Sequence, residues 1–223
     1  MILPLIRLAV VDSTQAFLRR NPHLGFCVVL ADRQTEGRGR QGNRWESPAG
    51  AGLWLSAALP PPSGVAPGLV LQRAMAAAAQ VLDPERRTLG LKWPNDLVAW
   101  KEGRLVKAGG ILGEQIGGRL ILGLGVNLTS APDIPERAIA PVCLRGLGLE
   151  LPPTLELAIL ISKSWTNLEQ EFQTLFRWPE PGTPLHWEEG QGTCLDWESD
   201  GRLKVASAIG IQRLSVGEVQ GLG

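Results

Sequence analysis

The chain has 223 residues, 44% of them hydrophobic and 20% charged, a composition typical of a globular protein with one main domain. The 22 basic and 22 acidic residues cancel, which argues against a general attraction to nucleic acid or to an anionic membrane. Cys27, Cys143 and Cys194 are odd in number and lack CxxC spacing, which excludes a disulfide framework or a zinc site. With no signal peptide or membrane-spanning run, we expect a cytoplasmic protein.

The first part of the chain is predicted to alternate short strands with one short helix. Residues 6–11 form an apolar run of strand length. The polar residues 12–14 that follow are typical of a helix cap, and we expect this helix to end near residue 20. Two further strands are predicted at residues 26–32 and 52–59, on either side of a glycine- and arginine-rich segment.

The middle of the chain combines one strong helix with short strands. Residues 69–82 contain the sequence MAAAA and have a high intrinsic helix propensity. A Pro-Asn-Asp turn at residues 94–96 and a Gly-Gly pair at residues 117–118 each separate two apolar runs. These features predict two pairs of strands, at residues 90–93, 97–100, 109–115 and 120–127.

The last part of the chain predicts a loop, a long helix and an all-β tail. Residues 132–153 are rich in proline and are predicted to be a loop. Residues 154–176 are predicted to be the longest helix, because apolar residues recur there at steps of three and four. Residues 183–223 contain short alternating segments typical of a small β module. The whole order predicts an α+β fold with a β appendix.

Residues 37–45 have the sequence GRGRQGNRW. Its glycines let backbone N–H groups come close to a ligand, and its arginines suit phosphate or carboxylate oxygens. The lysine and Ser/Thr of a nucleotide-hydrolysing P-loop are missing. The segment therefore indicates either a local anion site or an arginine-rich surface turn.

Residues 92–96 read KWPND and place a lysine at a strand end beside a rigid turn. Holding a lysine in one conformation costs up to ~2 kcal/mol of side-chain entropy, which favours a charged partner such as a ligand. An ordinary turn with a solvated lysine explains the same pattern equally well.

Glycines interrupt both strands of the predicted hairpin, as KAGGILGE at residues 107–114 and GLGVN at residues 123–127. Glycine inside a strand marks a bulge or the close approach of another group. The hairpin therefore predicts a floor for a flat ligand, or close backbone packing within a sheet. Neither segment fits a dinucleotide fingerprint, and His23 and His186 offer neither a metal cluster nor a Ser–His–Asp triad.

Taken in order, these motifs resemble those of biotin–protein ligases. The resemblance runs from residue 6 to about residue 130 and rests on Asp12-Ser13-Thr14, Gln34, GRGRQGNRW, KWPND, KAGGILGE and GLGVN. Each motif is weak evidence alone, whereas the ordered set is specific. The resemblance implies an α+β catalytic domain of the class II aminoacyl-tRNA-synthetase-like type at residues 1–180. A small SH3-like β-barrel is implied at residues 181–223.

The resemblance also implies roles for individual residues. Lys92, Arg40 and Arg38 are implied in catalysis, as positive charges beside the reacting carboxylate and phosphate. The residues implied to bind biotin are Ser13, Thr14, Gln34, Gly37, Arg38, Lys92, Gly109, Gly110, Gly123 and Gly125. The residues implied to bind ATP or the adenylate are Arg38, Arg40, Trp45, Lys92, Asn95, Lys107 and Asn127.

The activity implied by the resemblance is ATP-dependent biotin–protein ligation. Biotin is activated to biotinyl-5′-AMP with release of pyrophosphate, and is then transferred to a lysine of a biotin carboxyl carrier protein. ATP and biotin are substrates, Mg²⁺ accompanies ATP, and no metal ligand is assigned to the protein. The chain begins shortly before the Asp-Ser-Thr segment, so we expect no helix-turn-helix domain and no nucleic-acid partner. An exposed sheet edge favours a homodimer.

Two alternatives stay open at this point. A lipoate–protein ligase shares the catalytic fold and the adenylate chemistry, although GRGRQGNRW together with KWPND favours biotin. A non-catalytic sensor of biotin or nucleotide would keep the site without turnover. The presence of Lys92 and of both loop arginines, Arg38 and Arg40, argues against such a sensor.

Overall fold

The structure is a computed structural model, and it describes residues 3–134, 137–170, 176–215 and 219–221. No helix in these ranges is long and apolar enough to cross a membrane. Within them, eight strands form one large mixed sheet. In chain order these strands are β1 (Leu5–Val11), β2 (Cys27–Gln34), β3 (Gly52–Leu59), β4 (Leu89–Lys92), β5 (Asp96–Lys101), β6 (Arg104–Ile116), β7 (Arg119–Asn127) and β8 (Arg177–Trp178).

The spatial order of this sheet is β1-β2-β3-β7-β6-β5-β4-β8. The outer pairs β1–β2 and β4–β8 are parallel, and the neighbours between them are antiparallel. The predicted mixed sheet is therefore confirmed. β1 and β8 are its edge strands, and a homodimer formed through such an edge stays a prediction.

Helices cover both faces of the sheet. α2 (Pro67–Leu82) and α3 (Thr154–Ser164) pack on one face and bury the larger hydrophobic core. α1 (Thr14–Arg20) packs on the opposite face against β3 and β7. Alternate residues of each strand point to opposite faces, so Leu53 and Leu55 of β3 enter the larger core. Trp54 and Ser56, which alternate with these leucines, point to the opposite face. Ser56 lines a cavity on that side.

The helix predicted at residues 154–176 is shorter than expected. α3 ends at Ser164 and continues as one turn of 3₁₀-helix at Trp165–Asn167, while residues 171–175 lie outside the described part. The hydroxyls of Ser164 and Thr166 donate to the carbonyls three residues earlier, at 2.7 and 2.9 Å. Such side-chain bonds compete with regular α-helical bonding and accompany the tightening of the last turn.

The C-terminal part is a separate antiparallel sheet, as the alternating pattern predicts. Its strands are β9 (Pro184–Trp187), β10 (Gly190–Trp197), β11 (Leu203–Ser207), β12 (Gly210–Leu214) and β13 (Gln220–Gly221). Their spatial order is β12-β11-β10-β9-β13. The division expected at residue 180 falls between β8 and β9, and an SH3-like barrel stays a prediction.

Candidate active site

A cavity lies on the α1 face of the large sheet, where the predicted motifs meet. Its walls come from the start of α1, the loop after β2, the β4–β5 turn and the inner face of β6 and β7. Most of the residues singled out from the sequence line it. They are Ser13, Thr14, Gln34, Arg38, Arg40, Trp45, Lys92, Asn95, Lys107, Gly110, Gly123 and Gly125.

One end of the cavity is a buried network of neutral polar groups. Gln34 Oε1 accepts hydrogen bonds from the Thr14 backbone N–H at 2.8 Å and from Thr14 Oγ1 at 3.1 Å. Because that hydroxyl proton is used, Ser56 Oγ, 2.7 Å away, is the donor in its bond with Thr14 Oγ1. Gln34 Nε2 donates to Ser47 Oγ at 2.9 Å. The network fixes donors and acceptors that a small polar group can contact.

The floor of the cavity is β7, where two glycines face inward. Gly123 is paired with Ser56 of β3, and Gly125 is paired with Trp54. A side chain at Gly123 would lie 2.8 Å from Gln15 Oε1, and one at Gly125 would collide with the Trp45 indole. The floor is therefore flat because these positions leave no room for a Cβ atom.

The other end of the cavity is cationic. Lys92 is only 2% exposed, and its Nζ lies 5.4 Å from the centroid of the Trp178 ring, a cation–π distance. Lys107 Nζ lies 2.6 Å from Asp96 Oδ1 and 5.7 Å from the centroid of the Trp45 ring. Lys92 is thus buried, which argues against the solvated-lysine alternative. A charged ligand as its partner stays a prediction.

The loop at residues 37–45 folds back on itself beside the cationic end. The backbone N–H of Trp45 donates to the Gly37 carbonyl at 2.9 Å, and a side chain at Gly37 would collide with the Trp45 carbonyl. Arg40 Nη1 donates to Asn95 Oδ1 at 3.1 Å, while Asn95 Nδ2 donates to the Ile111 carbonyl at 2.7 Å. These bonds connect the loop to the β4–β5 turn and to β6.

A bulge in β6 determines which of its residues face the cavity. Leu97 pairs with Gly109 and Val98 pairs with Lys107, so Ala108 is the extra residue. Lys107 and Gly110 are three positions apart, yet both line the cavity because the bulge resets the alternation. Without it, a strand would place these two residues on opposite faces.

Three residues singled out from the sequence lie outside the cavity lining. Gly37 closes the base of the loop, and Gly109 packs so that a Cβ atom would lie 2.7 Å from the Gly125 carbonyl. Asn127 donates to the Val142 carbonyl at 3.2 Å. Close packing explains Gly37 and Gly109 in this structure, and ligand contacts from these three residues stay a prediction.

Sequence reasoning missed several residues that line the cavity. Ser56 is the polar residue in the otherwise apolar strand β3, and that exception was a usable signal. Asp96 belongs to the KWPND motif, but the motif alone implies no role for it. Gln15, Leu112 and Arg137 gave no signal, because their positions depend on how α1, β6 and the segment after β7 pack.

Asp12 lies at the start of α1, and its lowered pKa predicts how the stability of the fold depends on pH. Arg20, followed by the Ser13 N–H, holds the pKa of Asp12 at about 2, below its ordinary 3.8. A carboxyl with a lowered pKa stabilises the fold above about pH 4, and that contribution is lost as the pH falls towards 2. The difference in urea-unfolding free energy between the native chain and Asp12→Asn should therefore shrink between about pH 5 and pH 2.5.

The matched control for this prediction is Asp32→Asn. Asp32 also pairs with an arginine, Arg7, but both side chains of that pair are more exposed, at 41% and 60%. An exposed pair contributes little to stability, so its substitution should change the unfolding free energy less at neutral pH. A pH-independent difference for Asp12→Asn would show that the carboxylate charge does not stabilise α1.

Comparison with known proteins shows which family the chain belongs to. Residues 8–129 match the model of the biotin/lipoate A/B protein ligase family. The biotin–[acetyl-CoA-carboxylase] ligase of Paracoccus denitrificans is 37% identical over an alignment of 158 residues, and the alignment covers 62% of this chain and 62% of that protein. The bifunctional ligase/repressor BirA of Bacillus subtilis is 35% identical over an alignment of 117 residues, and the alignment covers 49% of this chain and 35% of that protein.

The fold is also similar to solved structures. The biotin protein ligase from Aquifex aeolicus, in complex with biotin and ATP, aligns with a TM-score of 0.75 and 26% identity. The alignment covers 98% of each chain. Against the first curated relatives, by contrast, the chain spans only between about a third and about half of their length. Since the family model covers more than half of the chain, the protein belongs to the biotin/lipoate A/B protein ligase family.

Proposed function

We propose that the chain is an ATP-dependent biotin–protein ligase. It forms biotinyl-5′-AMP from biotin and ATP, releases pyrophosphate, and transfers biotin to a lysine of a biotin carboxyl carrier protein. One observation carries the proposal: a single cavity combines a neutral polar network, a flat glycine floor and a cationic end. The Paracoccus relative is named for biotin and acetyl-CoA carboxylase, and the Aquifex structure holds biotin and ATP, which supports these substrates.

The shape and polarity of the cavity match biotin. A ureido ring presents one carbonyl acceptor and two N–H donors, which suit the hydroxyls and amide of Thr14, Gln34 and Ser56. The flat bicycle and its alkyl chain lie over Gly123 and Gly125. The carboxylate then points to the cationic end, where Lys92 lines the wall.

The chemistry requires positive charge, since a carboxylate attacks a phosphate that is also negative. In the first step a carboxylate oxygen forms a bond to the α-phosphorus, and the bond from that phosphorus to pyrophosphate breaks. We assign neutralisation of the developing charge to Lys92, Arg38 and Arg40. In the second step the acceptor amine attacks the carbonyl carbon, AMP leaves with the electron pair, and the amine proton passes to water.

Mg²⁺ is proposed to accompany ATP as part of the substrate. Among the described residues, no group of three or more His, Cys, Asp or Glu could hold a metal ion. The carboxylate lining the cavity is Asp96, which is paired with Lys107 at 2.6 Å. When bound, the ion shields the triphosphate, while this chain's own residues orient the substrates and exclude water.

The adenylate is proposed to lie beside the loop at residues 37–45, with Trp45, Asn95, Lys107 and Asn127 on the nucleotide side. Asn127 and Trp45 border a smaller cavity next to the first, together with Ile134 and Arg137. The shared border between the two cavities supports one continuous site for biotin and nucleotide.

We further propose residues 1–180 as the catalytic unit and residues 181–223 as an accessory SH3-like module.

The exchange of labelled pyrophosphate into ATP tests the proposed function. We expect exchange that depends on biotin, because adenylation is reversible and the carboxylate is required. Lipoate added in place of biotin should give little exchange. Exchange with lipoate but not biotin would assign the chain to lipoate ligation, and the lack of both in a folded sample would support a sensor.

Replacement of Arg40 by glycine should let biotinyl-5′-AMP escape before transfer. Arg40 tethers the loop to Asn95, and its loss also adds backbone freedom. We expect release of free adenylate to rise at least about 10-fold, the effect of losing one charged hydrogen bond of about 1.5–3 kcal/mol. Rapid filtration of protein loaded with labelled adenylate measures this rate.

The matched control is Arg44→Gly in the same loop. Arg44 also lines the cavity, but it is exposed and pairs with Glu46 at 3.2 Å. It adds the same backbone freedom without breaking the tether. Equal release from the two variants would show that loop flexibility, and not the Arg40–Asn95 bond, retains the adenylate.

A further inference from the structure

Trp93 of the KWPND motif does not enter the cavity but is buried in the C-terminal sheet. Its side chain is fully buried in a cluster formed by Leu185, Cys194, Leu203, Val205 and Val219. All five partners belong to the C-terminal module. The residue that follows Lys92 in the chain therefore forms part of the core of another module.

A tight turn of the module receives the Trp93 indole. Trp93 Nε1 donates to the Gly201 carbonyl at 3.0 Å, and Gln72 Nε2 of α2 donates to the same carbonyl at 2.6 Å. Gly201 has a φ of +87°, and a Cβ atom there would lie 2.6 Å from the Leu69 backbone nitrogen. The turn thus lies directly on α2, and only glycine fits that contact.

A second tryptophan connects Lys92 to residues beside the C-terminal module. Trp178 lies in β8, which pairs in parallel with β4. The backbone N–H of Trp93 donates to the Trp178 carbonyl at 2.8 Å, and the Trp178 ring faces Lys92 Nζ, which lies 5.4 Å from its centroid. Both the backbone after Lys92 and its ammonium group are therefore held by residues next to the C-terminal module.

We infer that Trp93 and Trp178 are positioning residues through which the C-terminal module fixes Lys92 against the reacting groups. The inference rests on the proposed function for the role of Lys92. Lys92 and Trp93 are adjacent, so a shift of the indole within the module core moves the lysine in the cavity. Displacements of about 1 Å in a catalytic group can cost on the order of 100-fold in rate. The module is then part of the catalytic apparatus without touching substrate.

The test compares Trp93→Phe with Trp165→Phe in the full chain. Trp165 is also buried, and its Nε1 donates to the Ala74 carbonyl at 2.8 Å, but it lies in the larger core and away from the cavity. Each variant loses an indole N–H and one ring. Biotin-dependent exchange of labelled pyrophosphate gives kcat and KM, and hydrogen–deuterium exchange reports on the backbone at residues 89–96.

Trp93→Phe should lower kcat at least about 10-fold while KM for biotin changes less than about threefold. Amides at residues 89–96 should exchange faster, and Trp165→Phe should show neither effect. Equal losses of kcat in both variants would overturn the inference, since a general loss of stability would then explain them. If Trp93→Phe does not fold, Trp178→Leu, at a partly exposed site, should show the same pattern.

The two proposals can fail separately. If the folded wild-type chain shows no exchange with biotin, the proposed function fails. The hydrogen–deuterium arm still tests the connection between the module and Lys92. Faster exchange confined to residues 89–96 in Trp93→Phe would support that connection, and unchanged exchange there would overturn it.

Discussion

Replacement of Lys92 by alanine is expected to lower the rate of adenylation at least roughly 100-fold, or about 3 kcal/mol of transition-state stabilisation. Lys92 lines the cationic end of the cavity and is almost fully buried. A buried charge acts in a low-dielectric environment, where it stabilises developing negative charge far more than an exposed one. Single-turnover formation of labelled biotinyl-5′-AMP measures this step directly.

Two further variants separate charge from packing. Lys92→Met keeps most of the side-chain volume beside Trp178 and removes only the charge, so it should lose about as much activity as Lys92→Ala. Lys101→Ala removes an exposed lysine at the end of β5 and should leave adenylation unchanged. Adenylation within about twofold of wild type in Lys92→Met would show that the charge of Lys92 has no catalytic role.

Replacement of Gly123 by valine is expected to weaken biotin binding about 10- to 100-fold, since overpacking a filled site costs about 1–3 kcal/mol. The new side chain would rise from the floor of the cavity, 2.8 Å from Gln15 Oε1 and 3.3 Å from Ser56 Oγ. It would occupy the space proposed for the flat biotin ring. Titration calorimetry with biotin alone measures the dissociation constant without any requirement for turnover.

Gly190→Val is the matched control for Gly123→Val. Gly190 also lies in a strand, but a Cβ atom there would meet the Trp187 ring at an ordinary 3.4 Å, far from the cavity. This variant should bind biotin normally. Unchanged binding by folded Gly123→Val would place biotin elsewhere, and urea unfolding of both variants identifies any loss due to the fold alone.

Local patterns predicted most elements because they depend on neighbouring residues. β3 has the bounds expected from its apolar run, and the Gly-Gly pair at residues 117–118 does separate β6 from β7. The start of α1 is also as expected, with the Ser13 hydroxyl accepting from the Ala16 N–H at 3.3 Å. Periodicity and capping chemistry are readable from sequence for this reason.

Features that depend on pairing between distant segments could not be predicted in this way. β6 begins at Arg104, before the glycines that marked it, because β5 pairs with its first residues. The bulge at Ala108 is likewise a property of that pairing. It decides that Lys107 shares a face with Gly110, which no local alternation predicts.

The motifs predicted which residues line the cavity, but they did not predict what the neighbouring residues in the chain pack against. KWPND placed Lys92 and Asn95 at the cavity, but nothing in its spacing shows that Trp93 is buried in the C-terminal module. Its indole is satisfied by a carbonyl 108 positions away, at Gly201. The sequence implies no role for Trp93, and its place in the C-terminal core depends on how the tail packs.

The transfer of labelled biotin to a biotin carboxyl carrier fragment tests the central claim most directly. The full chain is incubated with the fragment and labelled biotin, with and without ATP, and the fragment is examined by mass spectrometry. The account predicts label on one lysine of the fragment only when ATP is present. A folded chain that leaves the fragment unlabelled in the presence of ATP, or labels it equally without ATP, would contradict the account.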